Sequence, residues 1–209
     1  MMQEFKTIKS DLSNEIVEKK SRFIANIFYV ETEEEAIQKI KDIKAKYYDA
    51  RHNCYAYRIL QDNGIKEKSS DDGEPGGTAG APILNVITKN NLVNVLVIVT
   101  RYFGGILLGA GGLVRAYSES CSEVIDKVET VIKKSGYIAE IEISYQDLEN
   151  IKYVLKTNKI KINDIVYEEN VKLIIEIDEE VKVEIEKNMS PISKFVKKFI
   201  FLDRKYVDK

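Results

Sequence analysis

Glycine is unevenly placed in this chain, and that unevenness limits the possible folds more than any other feature. Nine of the eleven glycines fall between Gly73 and Gly112. Glycine admits positive φ and lets backbone approach another group closely, so this segment is shaped by its main chain. The first glycine-rich run is Ser69-Ser70-Asp71-Asp72-Gly73-Glu74-Pro75-Gly76-Gly77-Thr78-Ala79-Gly80. The second begins at Thr100-Arg101-Tyr102-Phe103-Gly104-Gly105 and ends at Gly111-Gly112-Leu113-Val114-Arg115. Between them, residues 93–99 are almost all aliphatic and β-branched, which predicts a central strand buried on both faces.

Charge and cysteine usage narrow the function classes. With 32 basic against 34 acidic side chains the formal charge is −2, so bulk electrostatics gives no strong attraction to nucleic acid or an anionic membrane; any such binding must be local. Two cysteines, Cys54 and Cys121, and one histidine, His52, make neither a disulfide framework nor a zinc site. No metal and no cofactor are expected, and a reducing cytoplasm is the expected location. The first residues lack the apolar core of a signal peptide. The apolar stretch 92–114 is broken by Arg101 and too rich in glycine for a spanning helix, so no membrane contact is expected.

The periodicities divide the chain in two. Residues 5–30 read as short strands, with turns near Ser13-Asn14 and Lys19-Lys20-Ser21. Thr32 with Glu35 has the capping-box pattern and opens a helix ending near Tyr48. Residues 50–60 alternate as a strand with His52, Cys54, Ala56 and Arg58 on one face. A helix opening at Thr78 or Ala81 runs to about Asn90, and another starts between Gly109 and Gly112. After Lys133-Lys134-Ser135-Gly136 the pattern simplifies to strand 137–144, helix 145–158, a hairpin around Glu168-Glu169-Asn170, a helix capped by Asp178 that ends near Asn188, and strand 193–202. That is βαββαβ, the ferredoxin-like order. The expected fold class is α+β, with domains at 1–132 and 137–209.

Three sets of residues suggest chemistry. A glycine-rich loop between a strand and a helix turns backbone N–H groups outward at the positive end of the helix, which suits phosphate or another anion. Gly104, Gly105, Gly109, Gly111 and Gly112 form that loop, and Arg101 and Arg115 bracket it. The chain has six arginines among 32 basic residues, and five of the six lie from Arg22 to Arg115. Arginine in so lysine-biased a chain points to planar, bidentate demands. The bland alternative is that the glycines permit tight packing and the arginines pair with Asp71, Asp72 or Glu74. Those three carboxylates, the second set, suit magnesium beside a phosphate or a general base, although Ser-Asp-Asp-Gly and Glu-Pro-Gly are also turn chemistry. In the third set, His52 and Cys54 share a strand face as a nucleophile and its base would, and Tyr55 and Tyr57 beside Arg58 suit base stacking. A packed strand interior is the favoured expectation for His52 and Cys54, and a core or interface lining for the tyrosines. No Gly-Lys-Ser/Thr or GxGxxG context supports a nucleotide fingerprint, and no catalytic residue is assigned.

The run Tyr48-Asp49-Ala50-Arg51-His52-Asn53-Cys54-Tyr55-Ala56-Tyr57-Arg58, the Ser70-to-Pro75 and Thr78-Ala79-Gly80 motifs, and the block from Val99 to Tyr117 resemble the IMPACT/YigZ family, as does Ser21-Arg22-Phe23-Ile24-Ala25. The resemblance is strong over residues 1–130 and weaker beyond. It implies an N-terminal α/β domain like the second domain of a small-subunit ribosomal protein, and a C-terminal domain like the last domain of elongation factor G. It also implies a link to translation, because eukaryotic relatives regulate the amino-acid-starvation kinase pathway by binding a large ribosome-associated protein. The expected function is therefore a binding or regulatory protein whose N-terminal Gly/Arg surface, with Arg58, Arg101 and Arg115, contacts RNA, ribosome or a translation factor. The alternatives are an anion site at the Gly-rich loop for a phosphate-bearing small molecule, binding or enzymatic, formed by Asp71, Asp72, Glu74, Arg101 and the loop backbone with His52 as a lining candidate, and a pure protein-interaction module. A proline-dipeptidase activity does not fit a chain with one histidine.

Overall fold

The structure is a computed structural model that describes residues 4–187 and 189–208. By contacts the chain divides into a first unit, Phe5–Val131, and a second that begins at Ile132. The fold class is α+β. Among the described residues, no helix is long and apolar enough to cross a membrane.

The first unit contains β1 (Phe5–Ile8), β2 (Leu12–Glu18), β3 (Ser21–Tyr29), α1 (Glu33–Lys46), β4 (His52–Gln61), β5 (Gly64–Ser70), α2 (Gly80–Lys89), β6 (Val95–Tyr102) and α3 (Ala110–Lys127). Its main sheet has the order β2-β3-β6-β4-β5, with every neighbouring pair antiparallel. The aliphatic run becomes β6 at the centre. Val95, Val97 and Val99 face a core shared with α2 and α3. Leu96 and Ile98 face a second core with Ala36 and Ile43 of α1. A strand buried on both faces is what its aliphatic, largely β-branched run from Val95 to Val99 demands. Thr32 accepts from the Glu35 N–H at 3.1 Å to cap α1. Glu35 reaches back to the Glu31 N–H, one residue before the position a capping box would use.

The expected turn at Ser13-Asn14 does not form. These residues lie inside β2, which pairs without a break from Leu12↔Ile27 to Glu18↔Ser21. β2 is an edge strand with one solvated face, so Ser13 and Asn14 can sit in it although they look like turn residues.

The second unit contains β7 (Thr130–Ile143), α4 (Leu148–Thr157), β8 (Lys161–Tyr167), β9 (Val171–Asp178), α5 (Glu179–Glu186) and β10 (Val196–Asp208). The element order is βαββαβ, and the strands lie β10-β7-β9-β8, all antiparallel. Ala139, Ile141, Leu173 and Ile175 on one sheet face pack against Ile151 and Leu155 of α4. Asp178 accepts from the Val181 N–H at 2.7 Å and caps α5. The expected end of that helix, Asn188, lies outside the described residues. β7 starts well before the expected Tyr137. Lys133-Lys134-Ser135-Gly136 reads as a linker by composition, but it pairs with Asp208, Val207, Tyr206 and Lys205 of the long β10.

Candidate functional site

Strand register assembles the site. His52, at the start of β4, lies across from Arg101 near the end of β6. The segment joining β5 to α2 carries Asp71, Asp72 and Glu74 over this end of the sheet. α3 returns beneath it and presents Tyr117.

Asp71 organises its own loop. Its carboxylate accepts N–H bonds from Gly77 (2.9 Å), Ala79 (3.0 Å) and Gly80 (2.8 Å), and thereby closes the loop and caps the start of α2. Burial alone would raise the Asp71 pKa. The three backbone donors outweigh it, and the pKa lies below the usual aspartate value. The neighbouring main chain is equally committed, since the Asp71 carbonyl accepts from the Glu74 N–H (2.9 Å) and from the Cys54 thiol (2.9 Å).

Asp72 adopts positive φ (41°). Its carboxylate meets Lys44 Nζ at 2.5 Å and the Asn53 N–H at 2.8 Å. Its carbonyl lies 3.0 Å from His52 Nδ1. A carbonyl can only accept, so Nδ1 carries the hydrogen.

Glu74 is the buried acid. Its Oε1 accepts from Arg101 Nη1 at 2.7 Å and from the Tyr117 hydroxyl at 2.8 Å. The Arg101 and Glu74 side chains are 8% and 3% exposed, so neither charge can be met by water. The Arg101 guanidinium lies 5.6 Å from the ring centres of both Phe23 and Phe103, and its buried Nε has no partner among the described residues. The Cys54 thiol reaches the Tyr117 oxygen at 3.4 Å, which links strand, helix and loop through Cys54, Tyr117, Glu74 and Arg101. Burial pushes the Cys54 pKa up to about 12 and the Tyr117 pKa higher still. Cys54 is a thiol at neutral pH and a poor nucleophile.

Above this layer, Asp49, Arg51, His52, Arg101, Tyr102, Phe103 and Leu107 line an open cleft of about 430 Å³. Tyr102 donates to the Asp49 carboxylate at 2.6 Å, a bond that pushes the phenol pKa up to about 12. Arg51 is exposed and makes no ion pair among the described residues. Phe103 is 56% exposed and Leu107 83%.

The second glycine run builds the rim. A Cβ on Gly104 would lie 2.0 Å from the Lys20 carbonyl carbon, so only glycine fits against the β2–β3 turn. The Gly104 N–H donates to Ser21 Oγ at 3.1 Å. Gly105 and Gly109 have positive φ, and Gly109 caps α3 without any side-chain bond. Gly111 and Gly112 lie in the first turn of α3, which contains no acid. Arg115 is exposed on α3, with Nη1 3.8 Å from where a Gly111 Cβ would be.

His52, Asp71, Asp72, Glu74 and Arg101 thus converge, but largely on one another. Arg58 lies elsewhere. It is six residues along β4 from His52, about 20 Å at the usual rise, and it bonds Glu67 (2.7 Å) and the Leu92 carbonyl (2.9 Å). Tyr57 is buried and donates to Glu33 at 2.6 Å, so it offers no stacking surface. Arg22 meets Glu15 with two bonds, at 2.7 and 2.9 Å, so its planar fork serves an internal partner. Sequence reasoning missed Tyr117, Arg51, Phe103 and Leu107. Large apolar residues in a glycine-rich loop outside any periodic element were the available signal.

A family model described as the Impact N-terminal domain matches residues 19–125, which span both glycine runs and every residue of the cleft. The chain belongs to the IMPACT family. A second model, described as a domain of unknown function (DUF1949), matches residues 141–191. The IMPACT family member YvyE of Bacillus subtilis is 41% identical over 86% of this chain and 82% of its own. The Protein IMPACT homolog of Dictyostelium discoideum is 43% identical, over 45% of this chain and 28% of its own. A solved crystal structure of a protein described only as hypothetical covers 97% of this chain and 98% of its own, at 28% identity and a TM-score of 0.65.

Proposed function

We propose that this IMPACT-family protein is a translation-linked regulator that acts by binding RNA, the ribosome or a translation factor through the cleft of its first unit. One observation carries the choice of binding over chemistry. The side chains suited to catalysis are bonded inward: Asp71 to its own loop, Asp72 to Lys44 and Asn53, Glu74 to Arg101 and Tyr117, and Cys54 as a raised-pKa thiol. Beside His52, Asp49 and Tyr102, the cleft presents a guanidinium and apolar side chains, which are groups that dock. The link to translation rests on the family and its eukaryotic relatives. Co-sedimentation of purified protein with ribosomes, beside a gel shift on structured RNA at two salt concentrations, tests it. Absence of both sinks the reading.

A second reading takes a phosphate-bearing ligand at the start of α3, favoured by its uncapped backbone and the nearby Arg115. It predicts a rise in melting temperature with inorganic phosphate that Arg115→Ala abolishes. Unchanged melting across a phosphate titration removes it.

A further inference from the structure

The rim of the cleft combines exposed aliphatic side chains with unmatched positive charge. Leu107 is 83% exposed and Ile106 43%, in the same loop as Phe103 at 56%. Arg51, Arg115 and Lys20, whose backbone supports Gly104, are exposed and make no ion pair among the described residues. Of the nearby carboxylates, Asp72 is paired with Lys44 and Glu74 with Arg101, while Asp49 bonds the neutral Tyr102 phenol and keeps its charge. Three unpaired cations thus stand against the one carboxylate, Asp49, in a chain of net charge −2.

We propose that the Phe103–Leu107 loop and Arg51 hold a short protein segment in which apolar side chains are flanked by carboxylates. The apolar groups lie against Phe103, Ile106 and Leu107, and a carboxylate takes Arg51. This rests on the binding reading above and names its partner class. Protein is favoured over nucleic acid by the kind of apolar surface present. Bases are held by stacking on aromatic rings and guanidinium planes. Here the Arg101 guanidinium lies 5.6 Å from the Phe103 ring centre and that of Arg22 lies 5.5 Å from the Tyr102 ring centre, so each ring already has a cation on one face. The exposed remainder is aliphatic, which buries against side chains and does not stack.

The test is selection of short random peptides on the full chain, with counter-selection on Leu107→Asp. At 83% exposure this variant folds as the parent does, which thermal unfolding checks. Enriched peptides should combine leucine, isoleucine or aromatic residues with aspartate and glutamate. Their binding should fall about tenfold or more in both Leu107→Asp and Arg51→Glu. Basic or uncharged enrichment, no enrichment over counter-selection, or affinities unchanged in both variants would overturn the inference. Single-stranded RNA binding that is lost in Arg51→Glu but kept in Leu107→Asp would assign the cleft to nucleic acid instead. Concentration-dependent self-association abolished by Leu107→Asp would assign it to a second copy. Ribosome co-sedimentation is run in parallel. If it persists while no acidic peptide is enriched, the inference falls and the translation reading stands. Peptide binding without co-sedimentation or an RNA shift keeps the peptide site and removes the link to translation.

Discussion

The two glycine-rich segments belong to one unit, the first supporting the cleft through Glu74 and Arg101 and the second lining it, yet their backbone groups are satisfied in opposite ways. The first, between β5 and α2, closes on itself: Asp71 takes the N–H groups of Gly77, Ala79 and Gly80, and Glu74 is buried on Arg101. The second, between β6 and α3, is held at Gly104 and then left open. Its helix starts without a side-chain cap, and Phe103 and Leu107 stand in solvent. Glycine content therefore does not indicate a ligand loop. The distinction lies in whether a carboxylate within reach already occupies the donors, and in the first segment Asp71 does.

The sharpest way to break this contrast is to open the closed segment. Glu74→Ala leaves the Arg101 charge buried and unmatched and should cost about 3–5 kcal/mol, read from urea unfolding at neutral pH. Adding Arg101→Met should recover most of that loss. A cost below about 1 kcal/mol would mean that the pair does not hold the loop. Next come the glycines of the open segment. Gly104→Ala forces a methyl onto the Lys20 backbone and should cost about 1–3 kcal/mol or more. Gly105→Ala meets open space and suffers only the strain of φ +83°, about 1 kcal/mol. Equal losses at the two sites would remove the distinction between anchor and rim.

Acid is a gentler probe of the closed segment. The folded-state pKa of Asp71 is depressed, so its contribution is complete above the unfolded value, about 3.9, and is lost as pH falls below that toward the folded value. Asp71→Asn should lower stability by about 1–2 kcal/mol at neutral pH and flatten the acid limb of the stability curve below about pH 4. A variant with the same acid limb as the parent would assign the limb to other carboxylates. The smallest effect belongs to the open segment, where Leu107→Ser should change stability by no more than about 0.5 kcal/mol while peptide binding is lost.

The main elements were legible because they rest on local pattern. The run 93–99, nearly all aliphatic, reads as an interior strand, and Thr32 and Asp178 announce their helices through donors three residues ahead. Where polar residues mimic punctuation, pattern misleads. Ser13-Asn14 lies inside an edge strand with a solvated face, and Lys133-Lys134-Ser135-Gly136 lies inside β7, whose partner there is distant in sequence. In the site, the residue types stood out but their partners did not. Nothing around Glu74 shows that the hydroxyl of Tyr117, a helix-face residue by its period, will meet it from 43 positions away. The bland reading of the arginines was already available for Arg101, and the structure selects it there. It leaves Arg115 without an ion-pair partner among the described residues.

The bonds joining Cys54, Tyr117, Glu74 and Arg101 also bear on how genetics will read this protein. A screen for loss of function samples whatever lowers the folded population, and one or two kcal/mol is enough to do so. Substitutions at Tyr117 and Glu74, neither of which presents a docking group to the cleft, will therefore outnumber those at Leu107 among strong alleles. The mutational map will mark the foundation of the surface more heavily than the surface itself. Alleles that keep full protein abundance and still lose function are the ones that trace the contact face.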